Sequence, residues 1–202
     1  LLDNAVERFP HEPRIASKRA RIAVQLNDLE AARREAWRVT SLAPNDPEPW
    51  LFAAVVDNLA RDFESATRAL RHVLKLKPQH AKALFQLGVI AESTRDVTEA
   101  RRCYRSSISI DPHAWEPLNN LALSLLEEGS PEALREARVL LDRAIRLGSA
   151  PDTIVTRYNL ALACIKLGDK AGAKAAANEL LKSAPAEHPM ATQARRVLKL
   201  AA

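Results

Sequence analysis

Asp28, Asp62 and Asp96 stand 34 residues apart, and with Asp169 they are the side chains whose type and spacing first invite a chemical reading. Carboxylates act as general acids or bases, or hold a cation, when two or more converge on one point. A fixed interval does the opposite and hands one carboxylate to each structural unit. The histidines, His11, His72, His80, His113 and His188, show no zinc-like spacing. His80 and His113 follow prolines in loops, where solvent exposure is the expected state. Cys103 and Cys164 lie far apart, and Cys164 falls at a core position of a helical pattern, as a buried reduced thiol would. There is no Gly-rich phosphate loop, nucleophile elbow or metal signature. The sequence therefore assigns no catalytic residue, no metal ligand and no cofactor to this segment, and a catalytic domain elsewhere in a longer protein stays open.

What positions the aspartates is a repeat. Pro10, Pro44, Pro78 and Pro112 share the same 34-residue interval, and each closes an apolar helical pattern of one shape. A period of this length means a stack of helix–turn–helix units, none able to bury its apolar face alone. With the closing proline as position 32, full units run over 13–46, 47–80, 81–114 and 115–151. Position 8 is Ala20, Ala54, Gly88 and Ala122, and position 20 is Ala32, Ala66 and Ala100; these small residues let two helices approach closely. Larger apolar residues such as Trp50, Leu84, Leu118, Leu70, Tyr104 and Val73 fill the rest, at spacings of three and four. Each Asp at position 16 marks a turn and can cap the second helix.

The fourth unit departs from the period, because its turn Glu127-Glu128-Gly129-Ser130-Pro131 is three residues longer, with Ser130 as N-cap and Pro131 at the first helical position. A fifth unit over 154–187 follows. Then 189–200 places Met190, Ala194, Val197 and Leu198 on one face and Arg195, Arg196 and Lys199 on the other, as an end-capping helix would. Residues 1–10 read as the tail helix of a preceding repeat, so the chain is expected to be a piece of a longer protein. The composition is that of a globular helical domain: 47% apolar, 27% charged and five glycines in 202 residues. No apolar run approaches the ~20 residues of a membrane span. The net charge of +5 favours an acidic partner slightly. The compartment stays open: we favour the cytoplasm, with a periplasmic location also open, since a signal could be missing from the piece.

These features resemble the tetratricopeptide repeat, with Trp or Leu at position 4, Leu-Gly or Leu-Ala at 7–8, Ala at 20, an aromatic or Leu at 24 and Pro at 32. Leu84-Phe85-Gln86-Leu87-Gly88, ending in Ile110-Asp111-Pro112, carries the match well. Arg19 at position 7 of the first unit and Arg157 at position 4 of the fifth depart from it. The resemblance implies an all-α fold, a right-handed α-solenoid of antiparallel helix pairs, whose first helices line a concave face. On that face Gln86, Asn120 and Asn159 share position 6, and Asn119 adds an amide at position 5. A primary amide both donates and accepts, so a row of them can hold the main chain of an extended peptide. The neighbours Phe85, Val89, Leu123, Tyr158 and Leu162 would contact its side chains. Alternatively these residues pack against neighbouring helices. The clamp by which co-chaperones hold a terminal carboxylate needs cations that these positions lack.

The second helices carry Arg33, Arg34, Arg68, Arg71, Arg101, Arg102, Arg105, Arg138 and Lys174 on an outer face. Without interleaved aromatics to stack bases, and with Glu30, Glu64, Glu99 and Glu136 nearby, this stripe is read as solvated cations rather than a nucleic-acid site. The expected function is a non-catalytic protein–protein interaction scaffold that binds an extended peptide in its groove. The alternatives are a substrate-recruiting arm of a larger enzyme, of glycosyltransferase or sulfotransferase type, and a structural scaffold of a secretion or envelope assembly. The partner and the oligomeric state are not written in the sequence.

Overall fold

The computed structural model describes residues 12–149, 153–185 and 187–202. The tail helix expected over 1–10 lies outside the described residues, as does His11. Among the described residues there are eleven helices and no strand: α1 (Pro13–Gln25), α2 (Leu29–Leu42), α3 (Pro47–Leu59), α4 (Phe63–Leu76), α5 (Ala81–Ser93), α6 (Val97–Ile110), α7 (Trp115–Glu128), α8 (Pro131–Leu147), α9 (Ile154–Lys166), α10 (Lys170–Ser183) and α11 (Pro189–Leu200). They form two compact units, residues 1–103 and 104–202.

Within a unit, consecutive helices are joined by one recurring turn. After α1, α3, α5 and α9 a residue takes the left-handed conformation: Asn27, Arg61, Arg95 and Gly168, with φ of 58°, 61°, 64° and 75°. Its N–H and that of the following Asp then reach back to the last carbonyls of the helix. Asp28 N donates to the Ala23 carbonyl and Asn27 N to that of Val24; Asp62, Asp96 and Asp169, with their preceding residues, repeat this pattern. The same aspartate caps the next helix: Asp28, Asp62, Asp96 and Asp169 accept from the N–H of Ala31, Ser65, Glu99 and Gly172 at 2.8–3.0 Å. One residue thus ends one helix and begins another, which is why the carboxylates recur with the repeat. In the longer fourth turn the roles are divided: Gly129 takes the left-handed conformation at φ 75° and Ser130 caps α8 through Ala133 N.

In the first unit α1 packs on α2, α2 on α3, α3 on α4 and α4 on α5. The close approach runs along alanines: Ala20, Ala32, Ala36 and Ala53 are fully buried against Val56. Ala66, Ala69, Leu70, Val73 and Ala83 form the next layer. Trp50 meets Trp37 edge-on with centroids 5.7 Å apart. Its indole N–H donates to the Pro44 carbonyl at 2.9 Å, which ties the closing proline of one unit to the first helix of the next. In the second unit α7 packs on α8, α8 on α9 and α9 on α10, and α11 lies across both α9 and α10. Ala194, Val197 and Ala201 join Ile154, Cys164, Ala177 and Leu180 in its core, while Arg195, Arg196 and Lys199 stay exposed.

A buried carboxylate links repeats in the first unit. Asp57 is 0% exposed; Arg33 Nε donates to its Oδ1 at 2.7 Å and Trp37 Nε1 to its Oδ2 at 3.0 Å. Arg33 also bonds the capping Asp62. Arg138 repeats the motif in the second unit, reaching the capping Asp169 at 2.8 Å. The expectation of a solvated outer stripe is therefore corrected for Arg33, which is half-buried because a carboxylate of the next repeat faces it. Three other cations of the stripe pair with the expected glutamates: Arg68 with Glu64, Arg102 with Glu99, and Arg105 with Glu136.

The two departures from the repeat pattern are both accommodated by polar bonding. Arg19 stands near the buried Glu35 at 3.6 Å, and Arg157 donates to the Thr153 hydroxyl one turn earlier.

Replacing Arg95 by Gly should raise stability by about 1 kcal/mol, since an L side chain in the left-handed region costs ~1 kcal/mol or more. In a thermal melt this is a midpoint rise of roughly 2–4 °C; an unchanged or lowered midpoint would contradict the turn's conformation. The Asp62 carboxyl is held below the usual carboxylate range, first by the Ser65 N–H and hydroxyl and then by Arg33. A depressed folded pKa stabilises above the unfolded value of ~3.9 and loses that stabilisation as pH falls through the folded value. Asp62→Asn keeps a capping oxygen but cannot titrate, so its thermal midpoint should fall less steeply than the parent's between about pH 5 and pH 2.

Candidate functional site

The side chains that could do chemistry are spent on structure. The Asp carboxylates are helix caps, as above. Burial pushes the Cys103 thiol up to about 11, with Glu99 adding to the shift, and burial likewise raises Cys164. Both thiols are free, buried and protonated at neutral pH, the opposite of an activated nucleophile. Among the described residues no three His, Cys, Asp or Glu side chains gather as a metal site.

The histidines need a correction. His80 is not a solvated loop residue: it is 6% exposed. Its Nδ1 accepts the Ala83 N–H at 3.3 Å as the N-cap of α5, and Nε2 faces Glu48 Oε1 at 3.3 Å. It therefore occupies at α5 the N-cap place that Asp46 holds at α3. His188 caps α11 in the same way, through Met190 N at 3.1 Å. His72 packs on the Trp50 ring with centroids 4.0 Å apart. His113 is exposed as expected.

The amide row is built on α5, α7 and α9. Gln86 lies on α5 in the first unit, half-buried, with Phe85 and Val89 half-buried beside it in sequence. In the second unit the amides bond one another in a chain. Asn159 Nδ2 donates to Asn119 Oδ1 at 3.4 Å, Asn119 Nδ2 to Asn120 Oδ1 at 3.3 Å, and Asn120 Nδ2 to the Tyr104 hydroxyl at 3.4 Å. Asn159 and Asn119 are 4% and 8% exposed, whereas Asn120 is half-buried. The network joins α7 to α9 across forty residues of sequence, and it makes Tyr104 a member that the repeat pattern had assigned to core packing alone. Leu123, Tyr158 and Leu162 are half-buried on the same two helices. An amide has four hydrogen-bonding positions, and Asn120 uses two. What this arrangement can do is offer a polar group, already oriented by two buried neighbours, next to apolar side chains.

Two family models of the tetratricopeptide repeat match the sequence, at residues 60–114 and 155–187. This chain belongs to the tetratricopeptide repeat family. Solved structures of similar fold agree. A thermophilic tetratricopeptide repeat protein of Thermus thermophilus superposes with a TM-score of 0.69 at 18% identity, covering 91% of this chain and 99% of that one. YrrB, described as a tetratricopeptide repeat protein with an unusual peptide-binding site, gives 0.64 at 15% identity over 96% and 97%. Yeast Tom70 gives 0.80 at 18% identity, over 99% of this chain but 42% of its own length. At such identities the likeness is one of fold. No curated protein matches the sequence. As a tetratricopeptide repeat protein the chain is an all-α stack of helix pairs and a scaffold for protein interaction, and none of its described helices is long and apolar enough to cross a membrane.

Asn159→Ala should cost about 1–2 kcal/mol, because it leaves the buried Asn119 carbonyl oxygen without its donor. Asn120→Ala, at a half-exposed position, should cost under about 1 kcal/mol. Chemical denaturation of the two variants checks this ordering, and a reversed ordering would show that the network does not carry the packing of α7 on α9.

Proposed function

We propose that this tetratricopeptide repeat protein binds an extended peptide segment of its partner along the first helices of its repeats, with half-exposed amides holding the main chain. The observation that carries this reading is the amide chain of the second unit. It leaves Asn120 half-exposed while Asn119 and Tyr104, both buried, bond it on either side. A donor and acceptor set in advance loses little rotamer freedom when a peptide N–H and C=O dock on it. Gln86 offers the equivalent group in the first unit. Phe85 and Val89 there, and Leu123, Tyr158 and Leu162 in the second unit, would contact the ligand's side chains. The peptide-binding site named for YrrB is a precedent for the fold and not for these residues. No chemistry is assigned: the capping aspartates, both thiols, His80 and His188 are engaged in holding the helices.

A peptide display library panned against the chain, and repeated with Asn120→Ala, tests the proposal. The variant should retain its fold, as read by circular dichroism, and lose at least about tenfold in affinity for the selected peptides, the amount expected when a preorganised main-chain contact of ~1.4 kcal/mol is removed. Undiminished binding by Asn120→Ala, matched by undiminished binding with Gln86→Ala, would remove the main-chain role of the amides.

A further inference from the structure

The first unit carries an open groove between α1 and α3 that is charged quite differently from the amide row. Two adjoining lobes, of about 320 and 400 Å³, share Ser17, Arg21, Val39, Asp46 and Pro49 in their linings. Arg14 and Lys18 of α1 extend one wall, and Phe52 and Val55 of α3 form the other. Arg14, Lys18 and Arg21 fall at intervals of four and three, so they project from one face of α1. All three are exposed. None makes an ion pair with a described residue, although Arg21 lies over the Phe52 ring at 5.7 Å. Two acids stand at the rim. Asp46 Oδ1 caps α3 through Glu48 N at 3.1 Å, and Glu48 faces His80. The described lining of the two lobes therefore carries three cations against two carboxylates, a net positive charge.

We infer that this groove takes an acidic, partly apolar segment of a partner protein, lying extended along α1 with alternate carboxylates toward Arg14, Lys18 and Arg21. The spacing fits that occupant. Helical rise places Arg14 and Lys18 ~6 Å apart along the axis, and Lys18 and Arg21 ~4.5 Å apart. An extended chain presents same-side residues every ~6.6 Å, so acidic residues at every second position meet successive cations. The intervening side chains face Phe52 and Val55, whose ring and methyl groups supply apolar contact, while Arg21, held over the ring, contributes its charge from a partly ordered position. Peptide is favoured over nucleic acid because the groove offers a single aromatic ring, where base stacking needs successive ones. The inference rests on the reading of the chain as a binding scaffold, but not on the amide row.

Fluorescence anisotropy with two labelled decapeptides tests it: one with Glu at every second position and Leu or Val between, the other with Gln in place of each Glu. The intact chain should bind the Glu probe at least about tenfold tighter than the Gln probe at ~50 mM salt, with the difference shrinking at ~300 mM as exposed charges are screened. The triple variant Arg14→Gln, Lys18→Gln, Arg21→Gln, folded by circular dichroism, should lose that preference, while Asn120→Ala should keep it. Equal binding of the two probes, or an undiminished preference in the triple variant, overturns the inference. If Asn120→Ala then weakens both probes alike, the main-chain reading survives without it. An oligodeoxythymidine bound as tightly as the Glu probe, and lost in the triple variant, would overturn the assignment of a peptide.

Discussion

Everything in this molecule hangs on an aspartate placed between two helices. A tetratricopeptide unit is two short helices that are marginal in isolation, and each end leaves backbone groups without partners. The recurring turn resolves both ends at once. A left-handed residue lets two N–H groups return to the finished helix, and the Asp that follows turns its carboxylate to the first N–H groups of the next. The interhelix angle is thereby set by backbone hydrogen bonds rather than by the apolar surfaces. Alanines at the crossing points then allow the helices to come as close as that angle demands.

Stacking is reinforced by charge in a way that a helix-by-helix view misses. Arg33 and Arg138 each reach from a second helix to the capping aspartate of the following repeat. Arg33 also meets Asp57, whose carboxylate would be intolerable in the core without two donors. Arg33, Arg105 and Arg138 of the outer stripe thus tie one repeat to the next. The groove beside α1 differs in that its cations flank a hollow lined by Phe52 and Val55.

Function in such a scaffold comes from rows, since a repeat places equivalent positions of successive helices side by side. The rows differ in what they offer. Amides offer hydrogen bonds to any main chain, and their value depends on being held in one orientation; buried Asn119 and Tyr104 both bond Asn120. Cations offer long-range attraction and preference for acidic sequence. The two together would separate recognition of an extended backbone from recognition of its composition.

The sequence by itself determined the helices, their order and their turns. These depend on contacts within a few residues: Asp62 caps Ser65 three residues on, and Ser130 with Pro131 starts α8 wherever the rest of the chain lies. Small residues at Ala20, Ala32 and Ala66 announced close crossings for the same reason, since only their periodicity was needed. The tertiary structure decided which polar groups are buried and with whom. His80 looked like a loop residue because its contact with α3, whose Glu48 it faces, spans over thirty residues of sequence. Arg33 looked solvated because its carboxylates, Asp57 and Asp62, lie on the next repeat. Asn159 could be aligned with Asn120 by register, but its bond to Asn119 depends on how α9 seats on α7, and register says nothing of that distance. Local periodicity fixes backbone hydrogen bonds, which are short-range; burial and side-chain pairing are properties of surfaces that exist only once the helices have met.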